Sequence, residues 1–375
     1  MALLGGLIFL VLIIINTFLC KYILDIFSRF ITLNIHIKTI IIVLCIIIFM
    51  GSCLTIFRYR FSSIIVVFFT YTVGISMLLY LLNTFLKGHA FWDKIYLFIP
   101  LLLSLLIIIY GLYNIKDIVM TTYNIHNKKI NDNYKAILIS DLHYGVSLSN
   151  DELQKYCDDI SKLNPDFVFL AGDIVDEKTT NEQMKSAFKI LGSINTKYGI
   201  YYTYGNHDKS TYTNKKNYTV DELKTTISDN NITILDDDKK YINDDILLIG
   251  RSYDNKKPIN EIIGEGDNDL YIIVIDHIPL EYKSNRENGV NLELSGHTHN
   301  GQIFPLGLAQ KVYNKITNGN NDDSLVNNIH KMSDMVYGKY EKDDFVGIVT
   351  SGIAGWGIPI RTESKSEYVL INLSK

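Results

Sequence analysis

The chain has 375 residues, 47% hydrophobic and 20% charged, with a formal net charge of -4. That balance excludes a global basic surface for nucleic acid, and no basic tract is long enough to recruit it locally. Of the four cysteines, Cys20, Cys45 and Cys53 lie in apolar segments, so the polar remainder, with Cys157 alone, forms no internal disulfide.

Hydrophobicity is concentrated in the first third. Four uncharged apolar stretches, at about 2–20, 39–57, 61–86 and 95–113, each supply the ~20 residues a helix needs to cross a hydrocarbon core. The first has neither a basic n-region nor a small-residue cleavage site, which argues against a signal peptide. The expectation is a transmembrane region over 1–114 and a polar domain over 115–375. Basic residues divide evenly between the two sides: Arg58, Arg60, Lys116, Lys128 and Lys129 against Lys21, Arg29, Lys38, Lys87 and Lys94. The positive-inside rule therefore assigns no orientation.

Beyond Ile118 short apolar runs alternate with amphipathic stretches. "KAILIS" (135–140), "FVFLAG" (167–172) and "YGIYYTYG" (198–205) are predicted strands, with helices at 151–163, 181–192 and 219–230. Thr219 stands three residues before Glu222, the spacing of a capping box. Further strands are expected at 231–235, 245–250, 270–275, 291–295, 346–351 and 367–372. The order predicts an α/β domain with mixed sheets. The Asn- and Asp-rich stretch from about Asn314 to Asp334 is expected to be an insertion.

Five predicted strand ends deliver Asp, Asn or His. They are Asp141-Leu142-His143, Gly172-Asp173, Gly205-Asn206-His207-Asp208, Asp276-His277 and Gly296-His297-Thr298-His299. Singly these are turn dipeptides and loop histidines. Together, at the carboxyl ends of strands where ligands gather in open α/β sheets, they form a convergent donor set without thiolate. Such a set suits Mn²⁺, Fe or Zn²⁺.

This ordered set resembles the calcineurin-like metallophosphoesterases, over the chain from about residue 118 to the end. "GHTHNGQIFP" and "SGIAGWGIPIRT" are further similar to a branch of bacterial membrane-associated phosphoesterases, which commonly have glycine where this chain has Asn300. The resemblance implies an αββα sandwich, here preceded by about four transmembrane helices, with two divalent ions between its sheets, Mn²⁺ ahead of Fe and Zn²⁺. By the same resemblance Asp141, His143, Asp173 and His299 hold one ion. Asp173, Asn206, His277 and His297 hold the other, with Asp173 shared.

The expected activity is that of a metal-dependent phosphoric ester hydrolase, a phosphodiesterase or pyrophosphatase, multi-pass in a bacterial cell membrane. Its expected substrate is a lipid or lipid-linked phosphate. His207 is expected to stabilise or protonate the leaving group, with Asp208 orienting its ring. Arg361 is a candidate phosphate ligand, Arg251 is read as a solvated surface arginine, and Trp356 is read as packing against the insertion, with the lining of an apolar substrate cleft as its alternative. The alternatives are a broad-specificity phosphomonoesterase and a catalytically quiet metal-binding signalling module.

Overall fold

The computed structural model describes residues 2–28, 31–55, 60–85, 98–318 and 333–375. The chain divides into two compact units. One comprises Met1–Tyr113 with Gly357–Ile360, the other Asn114–Trp356 with Arg361–Lys375.

The first unit holds four helices, α1 (Ala2–Ser28), α2 (Ile35–Leu54), α3 (Arg60–Phe85) and α4, which ends at Asn114 after starting at Ile99. Leu19, Phe49, Val66 and Val73 pack α1, α2 and α3 together, while Ile40, Leu44, Ile47 and Leu81 face outward. Outward-facing apolar residues on a helix suit a hydrocarbon environment. The expectation of about four spans is corrected to two among the described residues, Ile35–Leu54 and Phe61–Leu82. The helix Ile99–Asn114 has 16 residues, about 24 Å at the α-helical rise and short of a ~30 Å core. Residues 86–97, where the fourth expected span begins, lie outside the described residues. The first expected span falls on α1, which continues through Lys21 and Asp25.

The second unit is built on two six-stranded sheets. In the first, β1 (Ile118–His126), β12 (Ser366–Ser374), β2 (Tyr134–Ile139), β3 (Phe167–Ala171), β4 (Gly199–Thr203) and β5 (Ile232–Ile234) lie side by side. The second runs β10 (Gly338–Lys342), β11 (Phe345–Val349), β9 (Leu292–Ser295), β8 (Tyr271–Ile275), β7 (Ile246–Gly250) and β6 (Asp238–Ile242). Strands β2 to β5 are mutually parallel, as are β7, β8, β9 and β11.

Alternation along β2 shows how the layers form. Ala136 and Leu138 join Phe169, Leu248, Ile273 and Leu294 between the sheets. Ile137 and Ile139 face the other way, against α5 (Asn150–Lys162), α6 (Asn181–Leu191) and α7 (Val220–Asp229). The second sheet carries α8 (Ile259–Ile262) and α9 (Tyr282–Glu287) on its outer face, through Ile259, Ile262 and Tyr282. Strands covered on both faces read as continuous apolar runs rather than alternating ones, which is why "YIIVI" is fully buried. Each buried Ile, Leu or Phe contributes about 1.5–3 kcal/mol.

Helix starts follow local chemistry. The expected capping box at Thr219 and Glu222 is present, and so are two more, Ser149 with Glu152 and Thr180 with Gln183. Of the expected insertion, residues 319–332 lie outside the described residues, whereas Asn314 belongs to a regular helix, α10 (Leu306–Asn318).

Candidate metal centre

The parallel strands of each sheet end at one edge, and backbone pairing continues past them into the loops. Asp141 N–H donates to Gly172 O, His143 N–H to Asp173 O, and Gly296 N–H to His277 O, at 3.0–3.1 Å. These bonds fix the loops so that side chains from five strands converge. Asp141, His143 and His299 form one group of donor atoms and Asp173, His277 and His297 a second, each within 4.8 Å.

Asp173 stands between them. Its Oδ2 is 3.1 Å from His277 Nε2 and 3.7 Å from His143 Nε2. Asn206 Oδ1 lies 3.1 Å from His277 Nε2, and His299 Nε2 is 3.3 Å from Asp141 Oδ1. The rings of His143 and His299 stack at 5.2 Å, and those of His277 and His297 meet edge-on at 5.1 Å.

The backbone is strained to achieve this. Asp141, His143, Asp173, His297 and His299 have φ of 56°, 39°, 52°, 72° and 50°, a left-handed region that costs a non-glycine residue about 1–3 kcal/mol where the surroundings enforce it. Glycine is required next to them. A Cβ on Gly205 would collide with the Asp173 carboxylate, and one on Gly296 with Ser140 and Asp141.

These residues fit divalent metal ions. Both ring nitrogens of His143 and Nδ1 of His299 are buried without a hydrogen-bond partner, a cost of about 1–3 kcal/mol per group that a ligated ion removes. Burial, together with His277, pushes His297 down to about 4, and burial with His143 holds His299 well below its ordinary value. Both rings are thus neutral at pH 7, the form that donates a lone pair. His277 is 2.7 Å from Ala171 O through Nδ1, which orients Nε2 toward Asp173 as an outer carbonyl orients a metal-binding imidazole. Burial lowers the His277 pKa, yet Asp173 outweighs it and lifts it to about 10. Reciprocally, Asp173 is held below the carboxylate range by His277, His143 and His207 against its own burial.

His207 sits at the open side of the cluster, its ring 5.4 Å from the His143 ring, and its backbone N–H donates to Asp173 Oδ1 at 2.9 Å. Its expected partner is corrected. Asp208 accepts from the backbone N–H groups of Asp173, Gly205 and Val175 at 2.7, 2.6 and 3.1 Å. The carboxylate at His207 Nδ1 belongs to Glu177, at 3.0–3.1 Å. Burial lowers His207, but Glu177, Asp173 and Asp176 raise it above its ordinary value overall. The signal for Glu177 was the last acid of "GDIVDE", four residues after Asp173.

Arg361 is fully buried and takes no part at the surface of the site. Its guanidinium donates to the carbonyls of His299, Lys365, Ser351 and Ala354 and to Ser364 Oγ. It organises the loops instead of meeting a phosphate. Arg251 is likewise buried, bridging Asp237 and Glu281 at 2.9 Å each. Trp356, expected to pack, is 41% exposed. Its ring lies 5.4 Å from His207, with Tyr212 at 5.0 Å.

Residues 134–301 match the family model for calcineurin-like phosphoesterases, the stretch that holds every one of the converging donors. The chain carries a calcineurin-like metallophosphoesterase domain. A Helicobacter pylori protein named as an uncharacterized metallophosphoesterase is 28% identical over 257 residues, covering 66% of this chain and 62% of that one. A Danio rerio transmembrane protein with a metallophosphoesterase domain is 27% identical over 264 residues, covering 64% of this chain and 53% of that one. A Bacillus subtilis relative, also named as an uncharacterized metallophosphoesterase, is 28% identical over 181 residues, covering 46% of this chain and 60% of that one. The match to this chain thus spans between about half and about 62% of the length of these metallophosphoesterases.

Proposed function

We propose that the chain is a membrane-anchored, binuclear-metal phosphohydrolase acting on a phosphodiester or diphosphate carried by a lipid or lipid-linked substrate. The observation that carries this reading is the position of Asp173, whose one carboxylate oxygen faces both donor groups. Asp141, His143, Asp173 and His299 would hold one ion, and Asp173, Asn206, His277 and His297 the second, a nitrogen and oxygen set that suits Mn²⁺, Fe or Zn²⁺. Two such ions supply Lewis acidity to a phosphoryl oxygen and a nucleophile at neutral pH.

The chain's own groups do the remaining work. His207, protonated under the influence of Glu177, would give its proton to the departing oxygen, and Glu177 would hold the ring in the tautomer and direction that this needs. Asp208 would keep the Asp173 and Gly205 loops in register. Exposed Trp356 and Tyr212, both beside the His207 ring, favour a substrate whose leaving group carries an apolar or ring-bearing part. The two spanning helices favour anchoring in a membrane.

The test is hydrolysis of bis-p-nitrophenyl phosphate by the full chain in detergent, with Mn²⁺, with chelator, and with Asp173→Asn. Mn²⁺-dependent turnover abolished by chelator and by the substitution is expected, with metal content falling in parallel. A folded chain that retains two equivalents of metal yet cleaves neither this diester nor p-nitrophenyl phosphate would overturn the hydrolase reading in favour of a quiet metal-binding module. Turnover of the monoester alone would make it a phosphomonoesterase.

A further inference from the structure

Helix α10 follows the histidine loop directly and has two unlike faces. Its inner side is pinned: Glu363 accepts from Gly307 N–H and Leu308 N–H at 2.7 Å, and buried Asn314 donates to Ser333. Its outer side carries Leu308, Lys311, Val312 and Lys315, all exposed and spaced i, i+3, i+4, i+7, so they share one face. Leu306 at the start of the helix is exposed as well; Leu306, Leu308 and Val312 are 56%, 53% and 50% accessible.

A face that mixes large aliphatics with lysines does not match a protein core, where the ammonium groups would lose their water. It matches the boundary of an anionic bilayer, where aliphatics enter the acyl region and lysine stems lie along it with their heads among phosphates. Charge complementarity supports that occupant: the helix carries Lys311 and Lys315 and no acidic residue, which suits the anionic headgroups of a bilayer surface.

We infer that α10 docks in the headgroup–acyl boundary of an anionic bilayer, Leu308 and Val312 inserted and Lys311 and Lys315 at the phosphates. The loop whose Glu363 pins the start of α10 also anchors the candidate centre, because Arg361 binds His299 O and the backbone N–H groups of Thr362 and Glu363 donate to Gln302 O. Docking would thus hold the centre at the level of phosphates in the membrane surface. The inference rests on the membrane-anchoring part of the proposed function and is independent of the hydrolase part.

The test uses the full chain in nanodiscs of phosphatidylcholine and phosphatidylglycerol. Leu308→Cys, in a Cys53→Ser background, carries an environment-sensitive fluorophore, with Lys224→Cys on exposed α7 as the control, and nitroxide-bearing lipids quench. Metal content equal to that of the unsubstituted chain certifies folding. Quenching at 308 several-fold above that at 224 is expected, reduced when Lys311→Glu and Lys315→Glu are added. Equal quenching at the two positions overturns the docking. So does a blue-shifted emission at 308 that lipids do not quench, which means that protein rather than lipid covers the face. Unchanged quenching in the charge-reversed variant overturns the role of the lysines. A chain that does not enter nanodiscs overturns the anchoring reading itself, and the docking with it.

Discussion

Replacing Asp208 by Asn separates a loop-holding carboxylate from a catalytic one. The Asp208 side chain is fully buried, with Oδ2 accepting from Asp173 N–H and Gly205 N–H and Oδ1 from Val175 N–H. Asparagine has the same shape but only one acceptor. Kept at the doubly bonded position, that oxygen leaves the amide group facing the Val175 N–H, and one orphaned buried donor costs about 1–3 kcal/mol. The two remaining bonds lose their charge assistance, about 1 kcal/mol each. Relief of the burial of the Asp208 charge and of its repulsion with Asp173 offsets part of this, leaving a net loss of about 2–4 kcal/mol. At ~2–4 °C per kcal/mol for a unit of this size, Tm should fall by roughly 5–15 °C. The assay is thermal unfolding of the metal-loaded full chain, paired with hydrolysis of aryl phosphodiesters whose leaving groups differ in pKa. The rate should fall uniformly across the series, because a loosened Asp173 loop weakens metal retention without touching His207. An unchanged Tm, with a rate loss that grows as the leaving group worsens, would refute the reasoning and return Asp208 to His207.

Glu177→Gln should do the reverse. Its carboxylate is partly exposed, so Tm should move by no more than ~2 °C, while kcat falls about 10-fold or more for poor leaving groups and little for p-nitrophenolate; Glu177→Asp should restore part of it, and a uniform loss across the series would count against the pairing. Arg361→Ala should destabilise by more than ~3 kcal/mol, since it removes a buried cation and strands the acceptors it serves. At temperatures where the variant stays folded its KM for bis-p-nitrophenyl phosphate should match the unsubstituted chain. A raised KM with unchanged Tm would make Arg361 a phosphate ligand after all.

The strands that carry the site were legible because they are buried on both faces. Runs such as "FVFLA" and "YIIVI" admit no other placement in a polar domain. β1, β6 and β10 were missed because they lie at sheet edges, where one side is solvated and the pattern weakens: β1 alternates buried and exposed along "IVMTTYNIH". α10 was missed because its asparagines and lysines merge into a polar stretch, and its helical start is set by Glu363, 56 residues downstream of Gly307.

By itself the sequence determined which chemical groups stand at strand ends, because strand burial and loop glycines are local properties. It therefore yielded the convergent donor set and the absence of thiolate, while the family resemblance singled out seven of those donors as candidate ligands, with His207 beside them. Tertiary structure alone decided partnership. Asp208 adjoins His207 in the chain, but its buried carboxylate is consumed by three N–H groups of neighbouring loops, leaving His207 to Glu177, 30 residues away. Arg361 reads as a candidate phosphate ligand, yet four carbonyls and a hydroxyl draw it into the interior. Trp356 reads as packing by default and stands exposed beside His207. Which hydrogen bonds a side chain makes depends on what folding leaves unsatisfied around it, and that is a property of the assembled loops rather than of any one of them.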